Sequence, residues 1–114
     1  MTQPGFPQVV TELRGLLGTR LVAYLGGAGE TGIVDQWADG TVTPRDGIQQ
    51  RLRLALQLAV SISRADSSAM AQAWFQGANP HTEDCAPARL LRDGDLDDVG
   101  PTVLAAGRAF VLEG

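Results

Sequence analysis

The segment from Asp46 to Arg64, DGIQQRLRLALQLAVSISR, constrains the fold more than any other stretch of this chain. Ile48, Leu52, Ala55, Ala59 and Ile62 recur at helical spacing and form one apolar face, while Leu54, Leu56, Leu58 and Val60 carry apolar groups around most of the remaining circumference. A helix on the surface of a globular protein has one apolar stripe; a helix apolar on nearly all sides must be covered from more than one direction. The pattern therefore predicts a central strut, packed by elements before and after it in the chain, with a second subunit covering what they leave. A length of 114 residues with 44% hydrophobic content is that of one small domain with a modest core, so the cover must come from short elements.

The flanking sequence supplies them. Val9, Val10, Leu13, Leu16 and Leu17 make an amphipathic stripe that Gly18 stops. Thr19 is placed to cap a second helix bearing Leu21, Val22 and Leu25, and Glu30 and Thr31 open a third with Ile33, Val34 and Trp37 before Gly40 closes it. Thr43-Pro44-Arg45-Asp46 reads as a helix start with a hydroxyl cap and proline at the first position. Beyond the strut, Ser67 and Ser68 cap a helix with Met70, Ala71, Trp74 and Phe75, ended by Gly77. A polar connection, ANPHTEDCA, leads to a short helix from Pro87 to Gly94, and Asp95, Asp97 and Asp98 precede a last helix with Val99, Val103, Leu104, Phe110 and Val111. No stretch alternates in the manner of a strand. The expected class is all-α.

Composition narrows the chemistry. The net charge is -4, which opposes general nucleic-acid binding and makes any DNA contact local. Every basic residue is arginine. Cys85 is the single cysteine, so neither an intrachain disulfide nor a cysteine-based zinc site is available. The opening MTQPGFPQVV lacks signal-peptide features and no apolar run reaches membrane-span length, so a cytoplasmic protein is expected. The glycine-rich GGAGETG, Gly26 to Gly32, lacks the lysine and hydroxyl that follow the last glycine of a phosphate loop, having Ile33 and Val34 there. Asp93 to Asp98, DGDLDD, would need glycine and glutamate where Asp98 and Leu104 stand to be a calcium loop, and reads as a solvated capping turn. His81 has no second histidine beside it and Cys85 no identifiable base. No catalytic constellation, metal site or cofactor site emerges, and the chain reads as a non-enzyme.

The second and third helices, joined by a tight glycine-containing turn, fit a helix-turn-helix as well as a plain helical hairpin. In the first case Thr31 and Gln36 would meet base edges, with Arg45, Arg51 and Arg53 on phosphates. Glu30, Asp35 and Asp39 make the reading helix acidic, which works against this.

VDQWADGTVTP, Val34 to Pro44, resembles the Trp-x-x-Gly-x-x-x-Pro signature that closes the Xre-like helix-turn-helix of Xre/MbcA/ParS antitoxins. AWFQGANP followed by APARLLRDGDLDDV is similar to the toxin-binding segment of the same family, a tryptophan helix leading through Asn-Pro to a Pro-x-x-Leu-Leu-x-x-Gly helix. The resemblance covers the chain from about Leu21 onward. It implies an Xre-like domain over residues 1–64, including the strut, and a toxin-binding domain over 65–114. The implied function is that of an antitoxin blocking the NAD site of a RES-domain toxin, in many members also repressing its own operon. The toxin-binding role would fall on Pro87, Leu90, Leu91, Arg92 and Gly94, then on Arg108 and the terminal stretch Phe110, Val111, Leu112, Glu113 and Gly114, with Gly107 as a flexible joint before an inserting tail. The turn between helices two and three is about one residue longer than the family pattern, and its reading helix lacks the usual basic residue. The alternatives are a DNA-binding transcriptional regulator without a toxin and a dimeric structural adaptor.

Overall fold

The computed structural model describes residues 5–113, which form seven α-helices and one 3-10 turn, without a strand among the described residues. The helices are α1 (Phe6–Leu17), α2 (Thr19–Gly26), α3 (Thr31–Asp39), α4 (Asp46–Ala65), α5 (Ser68–Gln76), α6 (Pro87–Asp93) and α7 (Leu96–Glu113), with the 3-10 turn at Pro80–Thr82. The all-α class is as expected. Among the described residues no helix is long and apolar enough to cross a membrane.

α4 is the strut. Leu52, Ala55, Leu58, Ala59 and Ile62 are buried along it, and α1, α2, α5 and α7 all pack against it. Val9, Val10 and Leu13 of α1, Val22 and Leu25 of α2, Phe75 of α5 and Val103 of α7 complete a single cluster of buried side chains. Helices on both sides of residue 64 contribute to that cluster. α1 also packs on α5, where the Gln72 side-chain amide donates to the Leu16 carbonyl at 3.1 Å, and α2 packs on α6. Leu54, Leu56 and Val60, on other sides of α4, are only half-buried.

Helix ends explain how short elements fit round the strut. Gly18 closes α1 through its amide on the Arg14 carbonyl, 3.0 Å, and is itself the N-cap of α2, at a φ of 87°. A left-handed conformation suits glycine and lets two helices meet with no intervening linker. Thr19 is consequently inside α2 and makes no capping bond, contrary to the sequence expectation. The Thr43-Pro44 start is also corrected, since α4 begins at Asp46 and its N-cap, Arg45, makes no side-chain cap. The Thr41 amide still binds Asp39 Oδ1 at 2.8 Å and the Val42 amide binds the Gln36 carbonyl at 3.2 Å, so at Thr43 the chain is still leaving α3. Ser67 does cap α5, accepting from the Met70 amide at 3.0 Å. Asp95 Oδ1 accepts from the Asp97 amide at 2.9 Å, which accounts for the acidic run as the start of α7.

Gly107 is not a joint. It is buried within α7, and a Cβ there would lie 2.5 Å from Leu58 Cδ2 and 3.9 Å from the Trp74 ring. Its lack of a side chain lets α7 approach α4 closely, and the helix runs on through Arg108 to Glu113.

Candidate functional site

In the α2–α3 pair each glycine of the rich stretch has its own reason. Gly26 is the last residue of α2 and lies under Trp37, where a Cβ would come within 2.7 Å of two ring carbons. Gly27 takes a φ of 70°, and its amide reaches the Tyr24 carbonyl at 3.1 Å while the Ala28 amide reaches Ala23 at 2.9 Å, closing α2. A side chain at Gly29 would meet open space. Val34 and Trp37 are buried, leaving Thr31, Asp35, Gln36 and Asp39 on the outer side of α3. Asp35 is held by Arg14 at 2.7 Å.

The five residues expected at DNA are not brought together as one surface. Thr31, Gln36 and Arg45 are exposed. Arg51 is half-buried and donates from Nη1 to the Leu25 carbonyl at 3.1 Å, satisfying an acceptor that the last turn of α2 leaves open. Burial pushes its guanidinium down from its ordinary pKa, and repulsion from Arg45 adds to this. Arg53 is two residues further along α4, hence rotated by about 200°, and lines a different groove of about 590 Å³ with Val9, Leu56 and Val60.

The toxin-binding candidates divide between core and surface. Pro87 and Leu91 are buried and Leu90 packs against the core. Gly94 allows α6 to turn into α7, since a Cβ would lie 2.5 Å from Val99 Cγ1 and 2.8 Å from the Leu90 carbonyl oxygen. Phe110 also packs on the core. Arg92 is exposed, with its guanidinium 4.5 Å from the centroid of the Tyr24 ring, a cation–π contact between α6 and α2. Arg108, Val111 and Glu113 are exposed at the end of α7; Gly114 lies outside the described residues. Leu112, within the terminal stretch expected at the toxin, is 85% exposed, because two residues beyond Phe110 falls on the far side of the helix. Sequence reasoning passed over Arg20, Tyr24 and Arg89, which meet only in the folded chain and line a groove of about 550 Å³ between α2 and α6.

His81 is exposed in the 3-10 turn and its amide donates to Asn79 Oδ1 at 2.8 Å. Cys85 is half-buried, and its carbonyl accepts from the Thr82 hydroxyl at 2.6 Å. Among the described residues no group of three His, Cys, Asp or Glu side chains is arranged to hold a metal ion.

No protein family, curated protein or solved structure was found to match this chain.

Proposed function

We propose that the protein is a small antitoxin that neutralises a RES-domain toxin by covering its NAD site with the end of α7. The observation that carries this reading is the apolar pair Val111 and Leu112, exposed between Arg108 and Glu113 on a helix whose preceding turns are anchored in the core. An apolar patch flanked by opposite charges at the tip of a rigid element suits a pocket built for a cofactor with phosphates and a carboxamide. The order and spacing of the motifs quoted above support the partner's identity. On this reading the buried Pro87 and Leu91 and the half-buried Leu90 and Gly94 hold α6 in place, and Arg92 and α7 meet the toxin.

The test is protection against NAD loss on co-expression with a RES-domain toxin. Because Phe110 belongs to the core, the informative truncation removes residues 111–114 and is paired with Leu112→Asp. Both are expected to keep the helical thermal transition and to lose protection. Folded variants that protect fully would sink the reading.

A second reading, transcriptional regulation, draws on the exposed Thr31 and Gln36 of α3 and the tight turn before it. Operator binding would then weaken steeply with salt, and Gln36→Ala would relax base preference. We also propose self-association through α4, where Arg53, Leu56, Gln57, Val60 and Arg64 share one face at spacings of three and four.

A further inference from the structure

The groove between α2 and α6 is basic at its rim and apolar at its floor, in a chain whose net charge is -4. Leu17, Leu21, Tyr24 and Ala88 line it, with Arg20 and Arg89 among them. Arg20 is exposed and makes no ion pair among the described residues. The Arg89 side chain is 70% exposed and its one acid neighbour, Asp93, stands at 3.8 Å, beyond a hydrogen bond. The positive surface continues from the groove, since Arg92 lies over Tyr24 and both Arg92 and Arg45 are near enough to Arg51 to repel it. Of the nine arginines, Arg20, Arg45, Arg51, Arg89 and Arg92 thus border one side formed by α2, α6 and the start of α4. Asp93 lies among them, and Asp46 adjoins Arg45 at the first turn of α4.

Such clustering does not follow from overall composition, and the core does not require it: Arg20 and Arg89 touch neither a buried acid nor a backbone acceptor among the described residues. We propose that this groove docks an acidic peptide segment of a partner protein, with carboxylates on Arg20 and Arg89 and an apolar side chain between them on Leu21, Tyr24 and Ala88. Guanidinium groups pair with carboxylates in a planar, bidentate way, and the apolar floor supplies the burial that exposed ion pairs lack. A nucleic acid would use the arginines and leave the concave apolar floor unfilled, so the peptide is the better match. None of the groove's lining residues lies on α7 and Arg92 is not among them, so the variants named below leave the residues given the toxin-blocking role in place.

The test uses the full chain and a panel of fluorescein-labelled hexapeptides of the pattern Asp-Glu-x-x-Glu-Asp, with Leu, Phe or Met at the central positions. Each has a control in which Asn and Gln replace the acids. At least one acidic peptide is expected to bind tenfold or more tightly than its control, less so as salt rises. The double variant Arg20→Gln with Arg89→Gln is expected to lose tenfold or more with an unchanged thermal transition, since both side chains are outside the core. Three results would each overturn the proposal: no acidic peptide binding up to millimolar concentration, equal binding of acidic and amide peptides, or undiminished binding by the folded double variant. A short DNA duplex that binds more tightly than every peptide, and depends on the same two arginines, would overturn it in favour of a nucleic-acid partner.

Discussion

Single glycines set how closely the helices approach. At Gly26 an added methyl would meet the Trp37 ring at 2.7 Å, and at Gly94 it would meet the Leu90 carbonyl oxygen at 2.8 Å, a backbone atom with no rotamer to change. Overpacking of this kind costs about 1–3 kcal/mol, and in a domain of this size about 4–8 °C of Tm per kcal/mol. Gly26→Ala and Gly94→Ala are therefore expected to lower Tm clearly. Gly15→Ala should raise it, because Gly15 lies inside α1 with open space around it and alanine favours the helix by about 1 kcal/mol. Differential scanning calorimetry of the three variants is the check, and the opposite order would refute the packing account. A second expectation concerns pH. The hydroxyl and amide of Thr41 hold the Asp39 carboxyl below its ordinary pKa of 3.8. A depressed folded-state pKa means that the stabilisation is present above the unfolded value and is lost as pH falls through the folded one. Asp39→Asn should thus be less stable than the parent at neutral pH and match it in strong acid, as read from melts at the two pH values.

At the scale of elements, caps separate what local sequence encodes from what the surroundings decide. Ser67→Ala should cost about 1 kcal/mol, as loss of a hydroxyl cap does, because Ser67 accepts from Met70 in the structure. Thr43→Ala should leave the melt unchanged, since α4 starts two residues later than the Thr-Pro pattern suggests. Both residues carry the same local signal. They differ in what precedes them: Thr43 follows a turn that still bonds back to Asp39 and Gln36, and a cap pattern contains nothing of that turn. The helix stripes themselves were legible, because Val9, Leu13 and Leu17, or Leu52, Ala55 and Ile62, repeat within one element and are buried as their spacing implies. Gly107 was not, since its partner Leu58 is on another helix and a glycine between Ala106 and Arg108 reads locally as flexibility. The same reason hid the Arg20–Tyr24–Arg89 groove, whose residues come from α2 and α6. Of the candidates on α6 and at its cap, the leucines and Gly94 were marked by their motif and pack within the fold, while Arg92 is exposed.

For the whole molecule, the question is how much of α4 the chain covers by itself. α1, α2, α5 and α7 take most of its circumference, yet Leu56 and Val60 remain half-exposed beside grooves of about 590 and 450 Å³. Gln50, Gln57 and Ser61 near them are neutral, and Glu12 lines the second groove beside Arg64, so a face that also carries Arg53 and Arg64 has an acid within it to set against them when two copies meet. Light scattering is expected to find a dimer at high micromolar concentration, and Leu56→Glu combined with Val60→Glu to yield a folded monomer. A monomeric parent protein under those conditions would rule this out. The shared core also governs how the chain is made. The side of α4 at Leu58 is closed by α7, where Gly107 lies against it, so a nascent chain must carry that side of the helix uncovered until α7 has been synthesised. At translation rates of about 5–20 residues per second this interval lasts roughly 2–10 s. During it, a chaperone, a ribosomal neighbour or a second nascent copy competes for the same apolar surface that α7 later occupies.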